Sequence, residues 1–289
     1  MHPAPSVVIF TVLSGAGFGY LAFLGAGFAG TGWLAFWQFA LAFALAVGGL
    51  ISSTFHLGNP QRALLAFTQW RTSWLSREAW AAVATLLVMA LFAIAAIFFG
   101  RIVAPLGMTG AAMATGTVFI TSMIYAQMKT VPRWNSPLTP ASFIVCALTA
   151  GALLAGSWGL SLLLLIALGI LQLVCWMSGD GRFAERGHDM NAATGLPGRV
   201  RLFESPHSGT NYLLEEFGFQ VARRHAARLR VICIALICVV PAILLLLGTH
   251  PVLFGLAFAL HLTGAFVSRW LFFAEARHVV QLYYGREAA

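Results

Sequence analysis

The stretch HLGNPQRALLAFTQWRTSWLSRE, residues 56–78, lies between two long apolar runs and holds the first charges of the chain. No charged residue precedes Arg62. Arg71, Arg77 and Glu78 follow it within seventeen positions, and His56 stands just before it. A titratable histidine closes one apolar run and a titratable glutamate opens the next. Where such runs cross a bilayer, this places two proton-handling groups at one edge of it.

The rest of the chain says that they do cross. Of its 289 residues 60% are hydrophobic and 9% charged, and the mean hydropathy is +0.84. A soluble domain carries about 25% charged residues. The composition predicts an all-α polytopic membrane protein, with residues 1–289 forming a single integral membrane domain. The net charge of +8 then reflects orientation and anionic lipid headgroups rather than nucleic acid. The N-terminus, MHPAPSVVIF, has no basic region, and the apolar run after it outlasts a signal-peptide core, so it reads as a retained first span. Cys146, Cys175, Cys233 and Cys238 all lie in apolar runs without a CxxC pair. No metal site is expected in this chain.

Eight runs approach the roughly 20 residues that a spanning helix needs. They cover about 6–28, 33–55, 79–99, 105–127, 141–157, 159–178, 230–248 and 252–274. Eight spans put both termini on one side, together with loops 56–78, 128–140 and 179–229. Of the 17 Lys and Arg, 16 fall in those loops or at helix ends on that side, and only Arg101 falls opposite. The positive-inside rule makes the charged side cytoplasmic. Loop 179–229 is the one sizeable soluble or interfacial segment. In it Thr210 or Asn211 can cap an amphipathic helix with Glu215 and Glu216 first and Arg223, Arg224, Arg228 and Arg230 last. That helix suits a membrane surface, a docking surface or a plain connector.

The spans offer no nucleophile–base pair and no phosphate-binding glycine loop. A bis-histidine haem needs facing histidines inside the spans, and of the eight histidines only His261 lies deep in one. His56 and Glu78 remain. Reduction of a quinone takes two electrons and two protons, and its site needs an apolar slot with groups that bind the oxygens and exchange protons with water. Histidine titrates near neutrality, and a carboxyl in an apolar cleft does so too. Arg62, Arg71 and Arg77 can hold Glu78 ionised, and Trp70, Trp74 and Trp80 fit an interfacial belt. A plain structural reading competes: Ser76 caps the third span, Glu78 sits in its first turn, and His56 binds at the lipid surface.

HLGNPQRA after an apolar span, followed by SREA at the start of the next, resembles the membrane-anchor subunit of dimethyl sulfoxide reductase and its relatives. Tyr125 followed by KTVPRW (129–134) and SPLTPASF (136–143) is similar as well. So, more weakly, is Arg269 with Phe272 and Phe273. The resemblance implies a haem-free, quinone-reactive anchor in a bacterial inner (plasma) membrane, reacting with ubiquinone or menaquinone. It implies a four-cluster iron–sulfur subunit docked on the face of loops 56–78, 128–140 and 179–229. That subunit in turn holds a molybdopterin catalytic subunit, so that all clusters and the molybdenum lie in partners. The family's quinol-site histidine falls on His56 and its essential acid on Glu78, which would relay the proton. Arg62 in the same motif supports them, and Tyr125 and Trp134, which match the second motif, are inferred to line the quinone pocket.

The charged docking face sets this chain apart from the dimethyl sulfoxide reductase anchor, whose partners are periplasmic. ESPHSGTNYLLEEFGFQVARRHA (204–226) resembles the branch that anchors cytoplasmic, quinone-linked sulfite dehydrogenase. The resemblance thus implies sulfite oxidation coupled to quinone reduction. Quinol oxidation by a dimethyl sulfoxide reductase anchor is the alternative. A membrane transporter is the rival from another class, and it predicts a polar midplane pathway. The spans offer only scattered polar residues such as Gln38, Thr121 and Gln172. A purely structural anchor is the third reading.

Overall fold

A computed structural model describes residues 3–56, 59–204, 209 and 221–284, and every regular element among them is helical. Helix α1 (Pro5–Phe23) runs into a π-helical turn, Leu24–Phe28. Then come α2 (Gly32–Ser52), α3 (Trp74–Phe98), α4 (Ala104–Ala126), α5 (Leu138–Leu154) and α6 (Trp158–Glu185). A short α7 (Met190–Thr194) precedes α8 (Val221–Ile234), whose path continues through the π-turn Ala235–Val239 into α9 (Val240–Leu247). The last long helix is α10 (Pro251–Ala274).

Seven segments are long and apolar enough to cross a membrane, with α8 and α9 forming one of them from His225 to Leu247. The eighth place belongs to α5, which has 17 residues. At 1.5 Å per residue it is about 25 Å long, short of a hydrocarbon core of about 30 Å. Residues 128–137 fold back into the end of the bundle, where Val131 and Trp134 are buried and the Trp134 indole donates to the Phe272 carbonyl at 2.9 Å.

Several expected boundaries move, with α5 at Leu138–Leu154 rather than 141–157 and α8 starting at Val221 rather than near 230. Helix α3 begins at Trp74 rather than near 79, and α6 continues to Glu185, so residues 179–185 are helix rather than loop. Arg182 donates to the Asn135 carbonyl at 3.2 Å and Arg186 to the Asn135 side chain at 3.0 Å, which ties that extension to residues 128–137. Thr210, Asn211, Glu215 and Glu216, on which the amphipathic helix was expected to start, lie outside the described residues.

Helix α1 is the axis of the bundle, with 78% of its most apolar window buried against 28% to 44% for the other spans. Small residues allow this. A Cβ on Gly19 would fall 1.8 Å from the Ala147 carbonyl of α5, and one on Gly17 would fall 2.3 Å from the Ala46 nitrogen of α2. Such close backbone approach drives helix association where water offers no hydrophobic gain. The outward faces are apolar: Leu87 and Leu91 of α3 and Ile166 and Ile170 of α6 are all exposed. Turn-spaced exposed aliphatics of this kind suit lipid rather than water.

One end of the bundle gathers most of the charge. Arg133, Asp180, Arg230 and Glu275 form a closed ring of four ion pairs at 2.6–2.9 Å. The ring joins the 128–137 segment, α6, α8 and the end of α10. Sequence alone counted Arg133 and Arg230 as orientation charges; the fold uses them as a clamp. Pro3 and Pro5 share a surface cleft with Leu229 and Trp270, which places the start of α1 at the same end.

Candidate functional site between α3 and α4

Glu78 sits in the second turn of α3 and is 5% exposed. Its partner is Thr121 of α4, whose hydroxyl lies 2.5 Å from Glu78 Oε1 and 3.0 Å from the Thr117 carbonyl. A hydroxyl has one hydrogen and spare lone pairs. When Glu78 is a carboxylate, Thr121 donates to it. When Glu78 is the acid, it donates to Thr121, which turns its own hydrogen to Thr117. Both protonation states are therefore satisfied without moving a helix. The network continues one turn deeper, where the Thr85 and Thr117 hydroxyls meet at 2.9 Å.

This corrects the capping reading. Helix α3 starts before Ser76, the flanking Ser73 makes no side-chain cap, and the Ser76 hydroxyl is buried without a partner among the described residues. The arginines of the loop do not pair with Glu78 either. Arg77 donates to the carbonyls of Trp70 at 3.0 Å and Arg71 at 2.7 Å, and lies over the Trp74 ring. Arg62 is exposed on the 3-10 segment Pro60–Phe67. Trp80 donates to the Phe67 carbonyl at 3.0 Å and packs its ring on that of Phe67, which pins the loop to α3. The backbone of His56 closes the 3-10 turn Ser53–His56 at the foot of α2, while its side chain lies outside the described residues.

Tyr125 lies one turn beyond Thr121, on the same face of α4. It is buried in a cluster of rings, with Trp134, Phe143, Phe272 and Phe273 all 5.4–5.8 Å away. Trp134 stacks on Phe272 at 5.2 Å. The fold thus brings Glu78, Thr121, Tyr125 and Trp134 into one neighbourhood, while Arg62 is exposed on the preceding loop.

Sequence reasoning missed Thr121 as anything but a scattered polar residue. It also counted Arg269 with the helix-end charges. Arg269 is in fact 6% exposed, with its guanidinium 3.4 Å above the centre of the Phe143 ring. The signal for Thr121 was available in the sequence: it stands four residues before Tyr125 and four after Thr117, on one helix face. Nothing in the sequence said that this face meets Glu78.

His261 is fully buried in α10, and its Nδ1 lies 2.8 Å from the Ile237 carbonyl. Pro241 explains that contact. It has no N–H to give the carbonyl four residues back, so the histidine donates in its place. The other ring nitrogen, Nε2, has no partner among the described residues. No group of three or more His, Cys, Asp or Glu able to hold a metal occurs among the described residues.

Comparison with known proteins extends over the whole chain. The family model described as the DMSO reductase anchor subunit (DmsC) matches residues 1–285. A sulfite dehydrogenase subunit of Allochromatium vinosum is 31% identical over 327 aligned positions, which cover 98% of this chain and 99% of that protein. No solved structure matches.

Proposed function

Because the chain belongs to the dimethyl sulfoxide reductase anchor-subunit family, we propose that it is the quinone-reactive membrane anchor of a molybdenum–pterin oxidoreductase complex in a bacterial inner membrane. An iron–sulfur subunit docks on the charged end of the bundle and links it to the catalytic subunit. Electrons pass from that iron–sulfur subunit to ubiquinone or menaquinone, and the oxidised substrate is sulfite. The likeness to a sulfite dehydrogenase subunit supports this substrate over a sulfoxide. The concentration of Lys and Arg at one end supports a cytoplasmic docking face.

The observation that carries this reading is the buried Glu78–Thr121 pair one helical turn from Tyr125. Quinone chemistry supplies and takes protons at two oxygens. A carboxyl that is satisfied in both protonation states can hold one of those protons at the edge of the bilayer. In this reading His56 binds a quinone oxygen, Glu78 holds the proton to be exchanged, and the rings of Tyr125 and Trp134 wall the pocket. Arg62, exposed on the 3-10 segment, offers positive charge to the docked subunit or to lipid headgroups.

The test is sulfite-dependent reduction of a short-chain quinone by the purified complex, in the wild type and in His56→Ala and Glu78→Gln. Turnover with quinone should vanish in both variants, while turnover with an artificial dye and assembly of the complex persist. Quinol-driven sulfoxide reduction, with no activity on sulfite, would keep the anchor and reverse the electron flow. Quinone turnover that survives both substitutions would overturn the site.

A further inference from the structure

Three cavities of decreasing volume follow one another from the charged end of the bundle, each sharing lining residues with the next. The outermost, of about 290 Å3, is lined by Arg133, Asp180, Arg230 and Glu275 and meets the surface. The next, of about 50 Å3, shares Arg133, Gly179 and Glu275 with the first and adds Ser142, Gln172, Ser268 and Arg269. The innermost, of about 20 Å3, shares Cys146 and Arg269 with the second, and is lined also by Ser14, His261 and Thr121. Thr121 is the residue bonded to Glu78. A volume of this last size admits a water and not a quinone ring.

We propose that these cavities form one hydrated proton route, running sideways through the bundle from the surface ion-pair ring to Glu78. The proposal rests on the quinone reading above and adds the path by which Glu78 exchanges its proton with water. The route enters between α6, α8 and the residues that follow α10.

The lining chemistry fits water. His261 lines the inner cavity with Nδ1 on the Ile237 carbonyl, its ring also beside the Cys146 backbone, and its Nε2 makes no hydrogen bond among the described residues. Arg269 supplies donors, and its contacts among the described residues are with the Phe143 and Phe272 rings rather than with a carboxylate. A molecule that donates to one and accepts from the other satisfies both. Buried polar groups of this kind are ordinarily paired with protein or water. In the middle cavity Ser268 donates to the Gln172 side chain at 3.0 Å, and both remain within reach of further water.

Arg269 stands where the inner two cavities join. Its fixed charge disfavours an excess proton there, and an ionised Glu78 offsets it. The route therefore passes a proton inward after Glu78 has given its own to a quinone oxygen and become a carboxylate. The incoming proton reaches the Thr121 hydroxyl, Thr121 releases its hydrogen to Glu78, and the acid is restored. Two electrons from the docked subunit and two protons balance each quinone reduced. In quinol oxidation the same steps run outward.

The experiment uses the intact complex and compares Gln172→Leu with Glu78→Gln. Leucine at 172 keeps the volume and removes the polar lining. Quinone-linked turnover should fall about tenfold, with a larger solvent deuterium isotope effect, while dye turnover is unchanged. Wild-type rate and isotope effect in Gln172→Leu, beside an inactive Glu78→Gln, would overturn the route and leave the quinone site standing. If Glu78→Gln keeps its activity, the quinone site itself fails. Hydration is then read separately, by pulsed hydroxyl-radical labelling of Cys146 and His261. Both residues should label in the wild type, the half-buried Cys146 and the fully buried His261 alike, and label less in Gln172→Leu. Absence of labelling in the wild type would sink the route whatever the kinetics show.

Discussion

Thr121 and Glu78, forty-three positions apart, are joined by a 2.5 Å hydrogen bond between α4 and α3. The bond gives a membrane carboxyl a partner that accepts or donates as its proton requires. It sits beside an aromatic cluster that closes the same end of the bundle.

The hydroxyl, rather than the side-chain volume, should matter at Thr121. Thr121→Ser should retain quinone-linked turnover within about twofold, whereas Thr121→Val should lower it about tenfold or more. Steady-state rates with a short-chain quinone check this, with dye turnover as the control. Equal rates for the two variants would show that Glu78 does not exchange its proton through this hydroxyl.

The ion-pair ring should carry stability rather than turnover. Glu275 is 8% exposed and has two arginine partners. Arg133→Ala leaves it with one and should cost about 2 kcal/mol, since removing one member of a buried charge group leaves its partner uncompensated. Arg230→Ala should cost a similar amount, and the double variant less than the sum, because both act on the same two carboxylates. Thermal unfolding in detergent measures each.

Packing on α1 predicts a loss of fold rather than of chemistry. Gly151 and Gly19 face each other across α1 and α5, and a Cβ on Gly151 would lie 2.2 Å from the Gly19 carbonyl. Gly19→Val and Gly151→Val should each separate the helices and cost about 3 kcal/mol or more. The readout is folded protein recovered from membranes. Gly48, with open space around its Cβ position, should accept Ala with little effect.

The side of the membrane is open to direct test. Single cysteines placed at Lys129 and Arg101, in a background lacking the four native ones, should differ in labelling by a membrane-impermeant maleimide. Position 101 should react in intact cells, and position 129 only after permeabilisation. The reverse pattern would put the docking face outside.

The sequence by itself determined the class of this protein, its span pattern and the two residues to ask about. Those features are local: apolar run length sets which segments enter a bilayer, short polar breaks separate them, and the first charges mark an edge. The motifs around His56, Glu78 and Tyr125 likewise stand within short windows, so a family likeness could be read from them. Tertiary structure decided the rest. Thr121 became the partner of Glu78, Arg133 and Arg230 became a clamp around Asp180 and Glu275, and Arg269 left the surface for the Phe143 ring. Each of these depends on which helix faces which, and that is set by glycines and alanines letting backbones approach. In a span apolar all round, hydrophobic periodicity cannot announce such a choice.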